Sequence, residues 1–170
     1  MPQVCNRPFV VAVSAKRHAT DGILGVGFDD GPLAGSSDTL YAFLKSTNTK
    51  ATHFFIGVNI MQNIPQFKYA YETLQDDIAV HTWTHPYMTS LSNEDVVAQL
   101  GYTVQAIRDL TGGRLPAYWR PPMGDADSRV VAIAKEVFGL TTIIWNQESV
   151  SVLHVVLTAT DAASAPRTGA

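Results

Sequence analysis

Cysteine is almost absent from this chain: Cys5 stands alone among 170 residues. An intramolecular disulfide and a thiolate zinc site are therefore both excluded, and the redox compartment cannot be read from cysteine usage. Charge is scarce as well. Only 16% of residues are charged, the formal net charge is −3 and there is no basic run, so nothing recommends a nucleic acid or an anionic membrane surface as partner, and a neutral substrate suits the balance better. No apolar run reaches the ~18 residues of a membrane span. No N-x-S/T glycosylation acceptor occurs. The nearest approach to a targeting segment is the apolar stretch from Phe9 to Ala15, which follows Arg7 and ends in small residues. It is a poor signal peptide at minimum length and reads better as an early strand or an irregular start.

What the chain does have is a 46% hydrophobic composition, enough for the core of one domain. It also sets two of its five histidines, His81 and His85, on either side of Thr82, Trp83 and Thr84. Two imidazoles at this spacing can share a metal ion, but zinc normally asks for a third protein ligand, and none of the intervening residues is acidic. Asp29-Asp30, in GFDDGP, is the acidic candidate, able to supply a ligand and a base from adjacent positions. The alternative is a histidine pair that caps a turn before Pro86.

The pattern of apolar residues alternates between the strand and helix periods. Residues 23–28, 51–57, 78–80, 117–120 and 140–145 read as strands, the first ending in the two aspartates and the third delivering His81 and His85. Between them lie helices: one capped by Ser36 or Ser37 with Leu40, Phe43 and Leu44 inward, and one opened by Pro65 with Phe67, Ala70, Tyr71 and Leu74. A third runs from a Ser92 cap through Val96, Leu100, Val104, Ile107 and Leu110, and a fourth carries Val130, Ile133, Ala134 and Val137 and stops at Gly139. Such alternation implies parallel strands with right-handed crossovers, whose carboxyl ends meet on one face. A full barrel of this kind runs to ~250 residues, so the fold class is α/β, a distorted (β/α) barrel that is incomplete at its C-terminal end. Residues 150–158 read as one more strand and 161–170 as a tail of small and polar residues.

GFDDGP, HTWTHP and RPPMG, in that order and each at an expected strand end, resemble the motifs of the polysaccharide deacetylases of the NodB-homology group, carbohydrate esterase family 4. Fungal chitin deacetylases are the members most similar. The likeness spans about residues 22–148, which divides the chain into an irregular segment 1–21, the deacetylase-like domain 22–148 and a divergent tail 149–170. It implies a hydrolase that removes N-acetyl groups from N-acetylglucosamine polymers, with Asp30, His81 and His85 holding one divalent ion, usually zinc, with cobalt or manganese as substitutes. By the same likeness Asp29 is the catalytic base and Arg120 pairs with it, while chitin or a chito-oligosaccharide is the partner and the cell wall or extracellular space the location. Trp83, Tyr87, Tyr118 and Trp119 are candidate sugar platforms, with core packing the competing reading for each.

Gly27 departs from the family's usual threonine or serine. After WNQ the chain has Glu148 and then Ser151-Val152 in place of an aspartate and an Asp-Trp pair. The family's final Leu-x-His, which supplies the acid for the leaving amine, has its nearest counterpart in His154, out of register behind Val152-Leu153 and too early in sequence. His154 therefore reads as a histidine on a strand, standing as catalytic acid only for want of another. The expectation is metal binding with weak or absent deacetylation and an open sheet edge. Two other readings are a metal-holding, catalytically inactive carbohydrate-binding protein and a phosphoacceptor signalling domain, the latter lacking the lysine expected near the fifth strand's end.

Overall fold

The computed structural model describes residues 10–13, 25–145 and 147–149. Among the described residues seven strands form one sheet: β1 Val10–Val13, β2 Gly25–Asp29, β3 Thr52–Phe55, β4 Asp77–Val80, β5 Tyr118–Trp119, β6 Thr141–Thr142 and β7 Gln147–Ser149. Their order is β6-β5-β4-β3-β2-β1-β7. Strands β2 to β6 are parallel to their neighbours and curl as part of a barrel, while β1 lies antiparallel between β2 and β7. The apolar stretch after Arg7 thus contributes a strand.

Parallel neighbours require crossovers, and the helices supply them. Helix α1 (Ser36–Thr47) joins β2 to β3, and α2 (Gly57–Gln62) with α3 (Ile64–Lys68) joins β3 to β4, α3 widening into a π turn over Tyr69–Leu74. Helix α4 (Asn93–Leu110) joins β4 to β5, and α5 (Ser128–Phe138) joins β5 to β6. The start of α4 is the expected serine cap, Ser92 Oγ accepting from Asp95 N at 3.1 Å. Helix α1 starts differently. Its cap is Gly35, whose N–H donates to the Asp38 carboxylate at 2.8 Å, while Ser37 is buried and its Oγ accepts from Leu33 N.

One face of the sheet packs on these helices. Phe28, Phe55, Val80 and Trp119 join Leu40, Leu44, Phe67, Leu100 and Ile107 in a single apolar cluster, and each fully buried side chain of this kind contributes about 1.5–3 kcal/mol. Two expected core positions are filled by their neighbours. Tyr41 is buried where Phe43 is only partly so, and Val137 is exposed while Phe138 packs on the core. The register then positions the site. Asp29 pairs with Phe54, Phe55 with Val80, and Val80 with Trp119, so Asp29-Asp30 leave β2, and His81 and Arg120 leave β4 and β5 beyond the intervening β3, at about one level. The ladder continues one step past the strands, with His81 N donating to Phe55 O and Arg120 N to Val80 O, both at 2.9 Å.

Behind that level, on the helix side, His53 and Asp76 form a buried pair, Nε2 to Oδ2 at 2.9 Å. The imidazole is stacked between Phe28 and Phe55, with ring centroids 5.6 and 5.3 Å away. This pair ties β3 to the turn before β4.

Candidate functional site

Asp29 is the last residue of β2, and the chain turns at the next one. Asp30, rather than Gly31, adopts the left-handed conformation, with φ 66°. Aspartate tolerates that region better than most residues. Asn59 of α2 holds it there, its Nδ2 donating to Asp30 O at 2.8 Å. Gly31 is needed for closeness instead, since a Cβ there would lie 3.0 Å from Cε1 of Phe55.

The turn sends the two carboxylates to different partners. Asp30 Oδ1 lies 3.3 Å from His81 Nε2 and 3.2 Å from His85 Nε2. Ligand atoms of the three residues all fall within 4.8 Å of one another. Asp30 Oδ1 is buried with no hydrogen-bond partner among the described residues, an expensive state for a carboxylate oxygen in a protein interior. His81 Nδ1 lies 2.8 Å from Arg120 O. A carbonyl only accepts, so Nδ1 carries the proton and Nε2 presents its lone pair toward Asp30. An orphaned carboxylate oxygen facing an imidazole nitrogen whose tautomer is fixed suits a divalent cation, and this donor set of two nitrogens and one oxygen fits the ion expected from the sequence.

Asp29 turns instead to Arg120, whose Nη1 donates to Asp29 Oδ1. Both groups are buried, Arg120 completely, so this is no surface ion pair. The guanidinium lies over the ring of Phe54 at 3.8 Å and is 5.9 Å from that of Trp145. Burial pushes the Asp29 carboxyl above its ordinary value and lowers Arg120, while their contact and the imidazole of His81 favour the ionised carboxylate. For Asp30 burial also acts upward, but the two imidazoles beside it outweigh it and hold the carboxyl well below the usual range. Burial alone would lower His81. The carboxylates of Asp29 and Asp30, with the Arg120 carbonyl, raise it above 6.5.

The turn between the histidines is held from outside. Thr82 and His85 both have positive φ, 66° and 63°, and such residues cost about 1–3 kcal/mol each unless their surroundings fix them. Thr82 Oγ1 accepts from His85 N at 3.0 Å. Gly57 N and Val58 N, at the start of α2, donate to Thr82 O and Trp83 O at 2.9 and 3.0 Å. Gln99 of α4 takes the amides of Trp83 and Thr84. Further along, the Asp125 carboxylate accepts from Thr89 N and Oγ1 at 2.8 and 2.9 Å, joining the segment after His85 to the segment after Arg120.

The structure brings Asp29, Asp30, His81, His85 and Arg120 together. The aromatic candidates separate. Trp119 is fully buried and donates from Nε1 to Thr142 Oγ1 at 2.8 Å, so it is a core residue and not a sugar platform. Trp83 is half-buried, tilted on Tyr102 at 5.7 Å and packed where a Cβ on Gly57 would stand. Tyr87 and Tyr118 are exposed. His154 lies outside the described residues. The reading from sequence missed Asn59, Gln99 and Asp125. For Gln99 a signal existed, because it sits with Val96, Leu100 and Thr103 at i, i+3, i+4 and i+7 on the inward side of α4, where a polar residue needs a partner.

The polysaccharide deacetylase family model matches residues 16–143. Chitin deacetylase 3 of Cryptococcus neoformans is 52% identical over 129 residues, covering 75% of this chain and 31% of that protein. The chitin deacetylase of Amylomyces rouxii is 40% identical over 130 residues, covering 74% of this chain and 29% of that one. This chain therefore spans about three tenths of the length of these relatives. Among solved structures, a family 4 carbohydrate esterase from Streptomyces lividans in complex with acetate superimposes with a TM-score of 0.65 at 32% identity, over 71% of this chain and 60% of that one. A family 4 pseudoenzyme from Bacillus anthracis superimposes with a TM-score of 0.64 at 27% identity, over 70% and 41%.

Proposed function

This chain belongs to the polysaccharide deacetylase family, and on that premise we propose that it hydrolyses the N-acetyl groups of an N-acetylglucosamine polymer, with chitin or a chito-oligosaccharide as substrate. The observation that carries the reading is the division of labour between adjacent carboxylates, Asp30 toward the two histidines and Asp29 toward Arg120. The named relatives, chitin deacetylases of fungi, support the polymer and a place at the cell wall or outside the cell. Among the described residues no helix is long and apolar enough to cross a membrane.

In this reading Asp30, His81 and His85 hold one divalent ion, zinc being the choice that best suits two imidazoles and a carboxylate. The ion supplies acidification of a water molecule and polarisation of the amide carbonyl. Asp29 accepts the water's proton at its carboxylate. Burial raises the proton affinity of that carboxylate, so its base strength moves toward neutral working pH. Arg120 keeps it oriented and ionised through Nη1, and the Phe54 ring beneath the guanidinium keeps water from replacing that bond. Tyr87, exposed two residues beyond His85, offers a ring face to a pyranose.

A second reading has a specific observation in its favour: one structural neighbour is a pseudoenzyme of the same family. Besides Asp29, the described residues of the site offer no further acid for protonating a leaving amine, and a positioned acid typically contributes 10²- to 10⁴-fold. The chain would then hold metal and sugar with little turnover. Acetate release from chito-oligosaccharides, with and without added zinc, separates the two. Zinc-dependent release that disappears in Asp29→Asn supports the deacetylase. Saturable sugar binding without any release supports the second reading.

A further inference from the structure

The turn Thr82 to Thr84 joins the two histidines and makes no regular secondary structure of its own, so its backbone groups must find partners elsewhere. They do so from two sides. The carbonyls of Thr82 and Trp83 are taken by Gly57 N and Val58 N, donors that the first turn of a helix leaves free. The amides of Trp83 and Thr84 both donate to one atom, Oε1 of Gln99, at 2.9 Å each. The other end of the same side-chain amide is used as well, Gln99 Nε2 donating to Thr84 Oγ1 at 2.8 Å.

We propose that Gln99 is a positioning residue for the histidine pair: by fixing the turn between them it sets His85 against His81 and so governs how tightly this chain holds a divalent ion. The inference rests on the reading of Asp30, His81 and His85 as metal ligands. Three features of the geometry support it. The hydrogen bonds of Gln99 go to Trp83 and Thr84 and not to either histidine, so its effect passes through the turn. It stands one helical turn from Thr103, whose Oγ1 would be 2.7 Å from a Cβ on Gly57, so the helix bearing Gln99 packs directly against the helix start that bonds the other side of the turn. Thr82 and His85 both hold left-handed backbone, and each sits next to a residue that Gln99 bonds. Without those bonds the two residues are free to relax toward ordinary φ, which would separate the imidazole nitrogens.

Partners outside the ligand set typically change metal affinity by about 10- to 100-fold. The test is a competition titration of the full chain with zinc against a chromophoric chelator, alongside the thermal midpoint of the metal-free protein. Gln99→Leu keeps the side-chain volume and removes all three bonds, and zinc affinity is expected to fall by about 10- to 100-fold. Gln99→Glu keeps the acceptor for both amides while Thr84 Oγ1 turns to donate, and its affinity is expected to stay within a few fold of the unsubstituted chain. Val104→Ala, a core-packing change on the same helix, serves as the stability control. It is expected to lower the midpoint and leave affinity unchanged. If Gln99→Leu does not fold, Gln99→Asn, polar but one methylene too short to reach the turn, carries the same expectation. Zinc affinity of either variant equal to that of the unsubstituted chain overturns the proposal. So does a loss in Val104→Ala that matches the loss in the Gln99 variant at the same midpoint. An unsubstituted chain that binds no zinc overturns the metal reading itself, and this inference with it.

Discussion

Arg120 holds His81 by its backbone and Asp29 by its side chain: the carbonyl oxygen lies 2.8 Å from His81 Nδ1, and Nη1 donates to Asp29 Oδ1. A single residue past the end of β5 therefore fixes the tautomer of one expected ligand and the orientation of the expected base. The two functions meet because register brings Val80 level with Trp119, so the residues that follow each strand lie side by side.

The two aspartates should separate in a binding and turnover experiment. Asp29→Asn is expected to leave zinc affinity within a few fold of the unsubstituted chain and to reduce acetate release by 10²-fold or more, the usual contribution of a positioned base. Asp30→Asn should instead lower zinc affinity itself. Titration calorimetry and an acetate assay on the same preparations check both, and the opposite pattern would reverse the assignment of roles.

Arg120→Ala should weaken the fold as well as the chemistry. It leaves the Asp29 carboxylate buried without its cation, and breaking a buried pair from one side costs about 3–5 kcal/mol. The double change Asp29→Asn, Arg120→Met should be less destabilised than Arg120→Ala, because no buried charge then remains unpaired. Urea unfolding of the metal-free proteins measures the difference, and equal losses in the two variants would place the pair in contact with solvent.

The pH dependence should differ in sign between the metal-free and metal-loaded chain. His81 has its folded value raised above 6.5, so its contribution to stability is complete below 6.5 and is lost as pH rises through that folded value. Asp29, also raised, works in the same direction from lower pH, and Asp30, lowered, contributes a constant amount above the ordinary carboxylate range. The thermal midpoint in chelator should therefore fall as pH rises above the ordinary imidazole range. With zinc present it should rise over the same range, because the ion displaces the imidazole proton. A midpoint in chelator that rises with pH would contradict the placement of His81 between two carboxylates.

Asp76→Ala should report on the fold alone. It removes the partner of His53 in the sheet–helix layer, and an unsatisfied buried polar group costs about 1–3 kcal/mol. Stability should drop by that amount while zinc affinity stays unchanged, since the pair lies on the opposite side of the sheet from the site. A parallel loss of affinity would show that β3 transmits the change to Asp30.

The candidate site was legible because its chemistry resides in residue type. Asp29, Asp30, His81, His85 and Arg120 are rare, charged or metal-liking groups placed just after short apolar runs, and parallel strands gather such positions at one end of a sheet. The residues that hold them were harder to read for the opposite reason, Gln99 showing only its place on the inward side of its helix. Asn59 and Gln99 are amides on helices, where an amide ordinarily faces water, and only the packed arrangement of α2 and α4 turns them toward Asp30 and the Thr82 to Thr84 turn. Trp119 shows the same limit from the other side. An aromatic beside an arginine looks like a sugar platform, but the alternation of a strand directs it into the core. Strand lengths were overestimated at β5 and β6, two residues each, since apolar runs record burial and not the extent of pairing. The left-handed residue of the turn after β2 is an aspartate, Asp30, which Asn59 stabilises there and which residue type alone would not single out.

Metal content shows whether Asp30, His81 and His85 form one metal centre. The full chain is loaded with zinc, dialysed against metal-free buffer and analysed beside a His81→Ala, His85→Ala double variant that retains its fold by circular dichroism. About one equivalent of zinc is expected in the unsubstituted chain, as a three-ligand site requires, and none in the variant. An equal zinc content in the two proteins would contradict that assignment of the ligands.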